Sequence, residues 1–473
     1  MPDRRSLAEL ACRGLLLAYL CWLPMPFGSV TDRAQLPLVL GALGICALAA
    51  FARSWGPLNG LDVPRAFRFW IAGGLLFALV VALQLVPLPN ALLGVVSPES
   101  LRVWSRADRV AALAGVGAPR GAHAISVDPE VTALHLFRVA AYIATFLAAA
   151  LLMRRHRQRA ALAVVLGAVA IFETIYGVRE AALQRYAIWG WVNKLIFNRV
   201  TGTFVNPNHF AHYAAIVMPL GVYLAAQAWH DAGPAGTPWR RRLVRLLEKR
   251  LVRFGYGVVI VFACLLAILE AQSRGALISA LTGFAVVGAI ASGPRHALRR
   301  AVLIGVAGLA LVAVIVFFFG LNVSRFQEPE LASLGGRAVP VRTAFDIWRR
   351  APLFGTGLGT FIELSSMSGA GGTTHIINHA HDDYAEIAAT TGAAGLLVAL
   401  IPLLAGIVAL VRTTFGAGAA ELTWTRRAFQ VAALTSITIA LVHALIDFNF
   451  FIPSNPATLA AIAGAAVALR ERA

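Results

Sequence analysis

Long apolar runs separated by short polar segments recur along the whole chain. Each run is close to the roughly 20 residues that a helix needs to cross the hydrocarbon core. Because an unpaired backbone amide is costly in lipid, each run predicts a complete helix. The pattern predicts an all-α, polytopic integral membrane protein of about twelve spans, with 1–473 as a single membrane domain. The predicted spans are 9–28, 34–52, 69–88, 131–153, 160–178, 208–229, 254–272, 276–292, 301–320, 387–411, 428–447 and 457–470.

Two of these runs need a comment. The first resembles a signal peptide, but it lacks a clear small-residue cleavage site, so we expect a retained signal anchor. The last run is short and rich in alanine, which makes it the weakest of the predicted spans.

Composition agrees with this class. The chain is 59% hydrophobic and 14% charged, whereas a soluble domain carries about 25% charged residues. With the N-terminus in the cytoplasm, the cytoplasmic segments hold about 25 of the 41 Lys and Arg residues, as the positive-inside rule requires. One arginine, Arg138, falls within a span. The net charge of +18 therefore mostly reflects topology, and no nucleic-acid partner is predicted. The cytoplasmic basic loops also suit the anionic headgroups of membrane lipids.

Three outside segments are long enough to carry chemistry, at 89–130, 179–207 and 321–386. The third is the longest, and we expect short helices within it, such as 341–350. The glycine-rich turn 354–359 follows that stretch. It has the look of a nucleotide-binding pattern but neither follows a strand nor opens a βαβ unit. It predicts a tight turn where backbones approach closely.

Several arginines lie in or beside the outside segments. Arg274 stands in a very short turn between two spans, where a charge must face a polar cavity or a partner. Arg337 and Arg342 lie in the largest segment, and Arg199 precedes the sixth span. The planar guanidinium matches two phosphate oxygens, so these residues suit a lipid-linked phosphate or diphosphate. Snorkelling to the interface is the alternative.

Histidines and aspartates gather directly before the tenth span. His379, His381, Asp382 and Asp383 stand within five residues. A metal site is disfavoured, because no further set of ligands stands nearby in the sequence. A histidine backed by a carboxylate is a general-base arrangement. The alternative is a structural polar loop.

Four motifs follow one another along the chain. They are GTFVNPNHFA at 202–211, SRGAL at 273–277, PLFGTGLGTF at 352–361, and His381 and Asp382 followed, after nine residues, by Gly392 and Gly395. In this order, they resemble the motifs of the O-antigen ligase and polymerase superfamily, and the resemblance covers roughly 200–455. The family usually has Asn where this chain has Asp382, which puts any contact of that amide in doubt.

The resemblance implies a GT-C-type membrane glycosyltransferase of the bacterial inner membrane, with both termini cytoplasmic and the active site facing the periplasm. Such enzymes move a glycan from undecaprenyl diphosphate to an acceptor hydroxyl and need no cofactor, usually no metal either. By the family pattern, His381 is the base. We expect His379 to support it, and Asp382 or Asp383 to orient its ring or raise its basicity. Arg274 corresponds to a diphosphate-binding arginine. A second is expected at Arg342 or Arg337, with Arg199 as a further candidate.

The acceptor remains open. Ligases of lipopolysaccharide biosynthesis use the lipid A-core, whereas polymerases of O-antigen or exopolysaccharide use a second lipid-linked glycan. The stretch 447–453 looks like that of exopolysaccharide polymerase relatives, so ligase is only narrowly favoured. Some superfamily members are linked to bicarbonate uptake, which makes a transporter the distant alternative. The common transporter folds contain internal repeats, and this sequence contains none that we can detect.

Overall fold

The computed structural model describes residues 4–54, 61–192, 198–234, 236–293, 330–368, 376–416 and 422–471, with a few short stretches between them. Most of the described chain is helical, as predicted. The helices of the ranges above are α1 (Arg4–Trp22), α2 (Asp32–Ser54), α3 (Arg65–Leu83), α4 (Asn90–Val96), α5 (Pro98–Leu113), α6 (Pro129–Leu152), α7 (His156–Ala182), α8 (Pro207–Asp231), α9 (Trp239–Lys249), α10 (Leu251–Glu270), α11 (Arg274–Ser292), α12 (Glu330–Arg350), α13 (Phe361–Ser368), α14 (Asp383–Phe415), α15 (Trp424–His443) and α16 (Ser454–Ala466).

Short strands and single 3-10 turns connect the helices. Antiparallel pairs join β1 to β6, β2 to β3 and β4 to β5. Their bounds are β1 (Leu61–Asp62), β2 (Pro87–Pro89), β3 (Ala122–Ala124), β4 (Ala187–Ile188), β5 (Trp191–Val192) and β6 (Arg470–Glu471). The 3-10 turns Phe27–Ser29 and Asn449–Phe451 follow α1 and α15.

Eight of the described helices are long and apolar enough to cross a membrane, namely α2, α3, α6, α7, α8, α10, α11 and α14. Each coincides with a predicted span. Helices also form at three more predicted spans, but α1 and α15 lack so apolar a stretch and α16 has only 13 residues. The predicted span 301–320 lies mostly outside the described residues. The expected total of about twelve spans therefore stays a prediction.

Helix α8 lies at the centre of the bundle, since 83% of its apolar window is buried. It packs on α7, α10 and α15. Glycines allow α8 and α10 to touch, because a Cβ at Gly257 would lie 2.6 Å from the carbonyl oxygen of Gly221. Close contact through small residues is how helices pack in lipid. The side chain of Asn206 caps the start of α8 by accepting from the Asn208 amide at 2.9 Å.

The glycine-rich turn is the predicted tight turn, and it packs against a kink in α14. Gly392, at φ +68, interrupts that helix. A Cβ at Gly392 would lie 2.3 Å from the Leu353 carbonyl, and one at Gly355 equally close to the Thr390 carbonyl. The side chain of Gln84 links the turn to α14 by donating hydrogen bonds to the carbonyls of Phe354 and Thr390, at 2.8 and 2.9 Å. These contacts hold the kink in place, with nine residues between it and the Asp382 cap.

The segment 321–386 contains helices, as expected. Helix α12 includes the predicted stretch 341–350, and α13 follows the glycine-rich turn. A small apolar core joins them to α14 through Ile347, Phe361 and Ala389. This core holds α12 beside the first turns of α14, where the predicted histidines lie.

Candidate active site

His379 and His381 lie directly before α14. His381 has a φ of +55, a left-handed conformation that residues other than glycine rarely adopt. Asp382 then caps the helix, since its carboxylate accepts from the amides of Tyr384 and Ala385 at 2.9 and 3.0 Å. The pKa of Asp382 is raised, because burial disfavours the carboxylate more than these bonds favour it. A left-handed backbone at a residue other than glycine, as at His381, often marks a functional site.

Two buried carboxylates face these imidazoles. Nδ1 of His381 lies 3.4 Å from Oδ1 of Asp447, and Nδ1 of His379 lies 2.8 Å from Oε1 of Glu386. The other oxygen of Glu386 accepts from the Ala380 amide at 2.8 Å. Both carboxylates are only 1% exposed, while the two imidazoles are about a third exposed. A fixed carboxylate orients an imidazole and sets which nitrogen carries the proton.

The aspartates next to the histidines in the sequence have other partners. Asp382 caps α14, and Asp383 is fully buried, with its oxygens accepting from the Phe450 amide at 3.2 and 3.3 Å. The expectation that one of them orients His381 is replaced by Asp447, 66 positions away along the chain. The physical reason is that a helix cap turns its carboxylate toward the first amides of its own helix.

Phe448 places three imidazoles around one ring. It stacks on His379 with ring centroids 3.9 Å apart and an interplanar angle of 12°. It meets the edges of His381 at 5.0 Å and His209 at 4.6 Å. His209, near the start of α8, also has its Nε2 3.8 Å from Oδ1 of Asp447. Asp447 therefore stands between His209 of α8 and His381 of the segment before α14, and the GTFVNPNHFA motif contributes the first of them.

Arg274 begins α11 at the same end of the bundle. The following residue, Gly275, packs on α15, because a Cβ there would lie 2.8 Å from Nε2 of His443. The backbone carbonyl of His443 accepts from the amide of Asp447 at 3.1 Å. The start of α11 therefore packs on the end of α15, one turn before Asp447.

The other predicted arginines differ in position. Arg199 ties the turn before α11 to α8, since Nε donates to the Ala271 carbonyl at 2.8 Å and Nη2 to the Asn208 side chain at 2.7 Å. Arg337 is half-buried on α12, and Arg342 lies on the exposed face of the same helix. The structure thus places Arg199 and Arg274 at the turn between α10 and α11, and it leaves Arg342 facing outward.

Sequence reasoning missed a further pair on α6. His135 packs against Phe451 with ring centroids 5.6 Å apart. Glycine at position 359 leaves room for the imidazole of His135. Nη1 of Arg138 lies 3.4 Å from Nε2 of His135, and its Nε donates to the Gln35 side chain at 2.9 Å. A basic residue within a span is a functional candidate by default, so Arg138 carried a usable signal.

Fold and site together define a helical membrane protein with histidines, buried carboxylates and arginines gathered at one end of its bundle. Residues 259–400 match a family model described as O-antigen ligase. That segment runs from α10 into α14 and includes Arg274, the glycine-rich turn, His381 and Gly392. This match covers under a third of the chain and supports its place in the O-antigen ligase and polymerase superfamily. No curated protein matches the chain.

The family carries a coarse function with it. An O-antigen ligase-like glycosyltransferase acts on lipid-linked glycans, in keeping with a membrane protein of several apolar helices. The match gives no support to a transporter and does not separate ligase from polymerase.

Proposed function

We propose that this protein is an inverting, metal-independent glycosyltransferase of the bacterial inner membrane. It moves a glycan from undecaprenyl diphosphate to an acceptor hydroxyl at the periplasmic face. The observation that carries the proposal is His381, held 3.4 Å from buried Asp447 within the segment that matches O-antigen ligase. The start of α11 at Arg274, which packs on the end of α15, supports the proposal.

The base is His381 in this proposal. Its free nitrogen takes the proton of the acceptor hydroxyl as the hydroxyl oxygen forms a bond to the anomeric carbon. The bond from that carbon to the diphosphate breaks, and undecaprenyl diphosphate leaves. Because the attacking oxygen approaches opposite the leaving group, the anomeric configuration inverts. Asp447 keeps the imidazole oriented and stabilises its protonated form.

The arginines bind the donor. The leaving diphosphate gains negative charge as the glycosidic bond breaks, and fixed guanidinium groups stabilise that charge most in the transition state. Arg274 is the first candidate. Arg337 is the second, ahead of Arg342, because it is half-buried on α12 while Arg342 is exposed. Arg199 has two of its donors bound to protein groups, so we assign it to positioning the Arg274 turn.

Ligase remains narrowly ahead of polymerase. In favour of polymerase, the stretch 447–453 resembles exopolysaccharide polymerases and supplies both Asp447 and Phe448 to the site. The deciding experiment uses purified protein with an undecaprenyl-diphosphate glycan and either lipid A-core or a second lipid-linked glycan. Glycan attached to lipid A-core supports the ligase, and lengthened lipid-linked glycan supports the polymerase. Transfer that stops in chelator overturns metal independence, and transfer to neither acceptor contradicts the proposal.

A further inference from the structure

A basic cavity lies at the end of the bundle opposite the histidines. It has a volume of about 520 Å³ and is formed where α6 ends and where α7 and α15 begin. Helix α15 ends at His443, beside the candidate active site, so its first residue lies about 30 Å away along the helix axis. The cavity is therefore separate from the proposed glycan site.

The lining of this cavity is cationic. Two threonines, one histidine and five arginines surround it, and the arginines are Arg154, Arg155, Arg157, Arg159 and Arg426. No carboxylate is among these lining residues. Two neighbouring cavities at the same end each include an aspartate, Asp62 in one and Asp231 in the other. Among the described residues, Glu9 lies at the edge of this cavity, 3.8 Å from Arg154, and it is shared with Arg53 at 3.5 Å. Asp231 lines a neighbouring cavity that shares His156, Arg157 and Thr425 with this one.

Two of the arginines are buried in place. Arg159 is 4% exposed and donates to the Arg154 carbonyl at 2.7 Å, while Arg426 is 9% exposed and donates to the Ala468 carbonyl at 3.2 Å. These carbonyl acceptors hold the two side chains in place. The positive-inside rule accounts for arginines in exposed loops. It gives no reason to enclose two of them in a cavity.

The ends of two helices add to the positive potential. The N-termini of α7 and α15 both open onto the cavity, through His156 and through Thr423 and Thr425. The first amides of a helix and its dipole favour an anion. Arginine forks match phosphate oxygens in particular. All of these features select the same chemistry.

We propose that this cavity binds the phosphate headgroup of an anionic membrane phospholipid. The lipid source is favoured over free phosphate by a second cavity of about 980 Å³ that shares Arg426. Phe69 of α3 and Val408 and Leu410 of α14 line that second cavity, together with polar residues that include Asp62 and Arg412, and the three apolar side chains offer acyl chains a path beside the headgroup. Basic pockets between helix ends commonly bind such headgroups.

The test measures lipid binding and not glycan transfer, so its outcome is independent of the proposed function. The purified full-length protein is titrated with phosphatidylglycerol, phosphatidylcholine or inorganic phosphate, and bound lipid is counted by native mass spectrometry. The test variant is Arg155→Gln with Arg157→Gln, because both side chains are exposed and leave the buried arginines intact. The matched control is Arg241→Gln with Arg245→Gln, two exposed arginines of α9.

We expect phosphatidylglycerol to bind the wild type and the control equally, and the test variant about tenfold or more weakly. Equal weakening in the control would reduce the effect to bulk charge and overturn the site. Competition by millimolar inorganic phosphate as strong as that by the lipid would overturn the lipid assignment. Binding of phosphatidylcholine as tight as that of phosphatidylglycerol would contradict recognition of an anion.

Discussion

The two imidazoles before α14 differ in the carboxylate that each one faces. His379 has the shorter contact, 2.8 Å to Glu386, and is stacked flat on Phe448. His381 stands 3.4 Å from Asp447, shows only an edge contact to Phe448, and is slightly the more exposed. Stacking and the short contact restrain His379, whereas His381 keeps a nitrogen that a substrate hydroxyl can reach. The environment thus favours His381 as base and His379 as its support.

The first prediction separates the two histidines. Removing a general base typically costs roughly 10²- to 10⁴-fold in rate. We expect His381→Ala to fold, bind the lipid-linked donor and transfer almost nothing, while His379→Ala keeps a larger fraction of activity. Glycan transfer and donor binding are measured separately on purified protein. An active His381→Ala beside an inactive His379→Ala would reverse the assignment, and two active variants would remove it.

The second prediction concerns Asp447. Asp447→Asn keeps the side-chain volume but removes the charge that faces His381 and His209. We expect transfer to fall by roughly 10²-fold or more, because the imidazole loses both its orientation and the partner of its protonated form. Asp346→Asn, on the exposed face of α12, is the control and should transfer normally. Wild-type transfer by Asp447→Asn would exclude the carboxylate from the mechanism.

The third prediction concerns the donor. Arg274→Ala should lose most activity and weaken donor binding, and Arg274→Lys should recover little of either, since a point charge cannot replace a bidentate fork at a diphosphate. Arg342→Ala is the matched comparison, because that side chain is exposed and should matter less. The measurement is transfer at saturating and limiting donor. A folded Arg274→Ala with normal transfer would end its donor-binding role.

At the scale of elements, the kink of α14 connects the histidines to the rest of the bundle. Asp382 begins the helix and Gly392 bends it, so the number of residues between them fixes how far His381 stands from the glycine-rich turn. Backbone atoms of Leu353 and Phe354 occupy the place where a side chain at Gly392 would lie. The number of residues between His381 and Gly392 thus sets the distance between this histidine and the kink of α14.

The fourth prediction tests this bend. Gly392→Ala adds a Cβ at a φ of +68 and 2.3 Å from the Leu353 carbonyl, so we expect a loss of several degrees in thermal unfolding in detergent, since such strain costs about 1–3 kcal/mol before any clash. Gly44→Ala is the control, because that helical glycine of α2 has open space around it. Equal unfolding temperatures for both variants would contradict the packing described for the kink.

Local pattern predicted the elements well because a helix in lipid is decided by its own apolar length. Eight spans, the helical stretch in the large segment and the tight glycine-rich turn were all accessible in this way. The contacts of the site were not. Asp447 reaches His381 only when the end of α15 packs beside the start of α14, and such a long-range contact leaves no spacing signal in one sequence. Glu386 contacts His379 from seven positions further along the chain, and Asp382 caps its own helix and does not face His381.

At the scale of the whole molecule, chemistry divides between the two ends of the bundle. One end holds the histidines, the buried carboxylates and Arg274. The other holds the enclosed arginines of the basic cavity and the exposed arginines of α9. Because short basic segments stay in the cytoplasm, this division predicts the membrane orientation of the protein.

The fifth prediction is this orientation: the segment 321–386 faces the periplasm, and α9 and the basic cavity face the cytoplasm. The measurement uses a variant without Cys12, Cys21, Cys46 and Cys264, and then adds one cysteine at a time. Ser366→Cys, exposed on α13, and Arg245→Cys, exposed on α9, sample the two ends. With only the outer membrane opened, a membrane-impermeant thiol reagent should label Ser366→Cys and spare Arg245→Cys, which should react after the inner membrane is broken. The opposite pattern would place His381 in the cytoplasm, where the glycan of a periplasmic lipid-linked donor cannot reach it, and the proposed mechanism would fall with the topology.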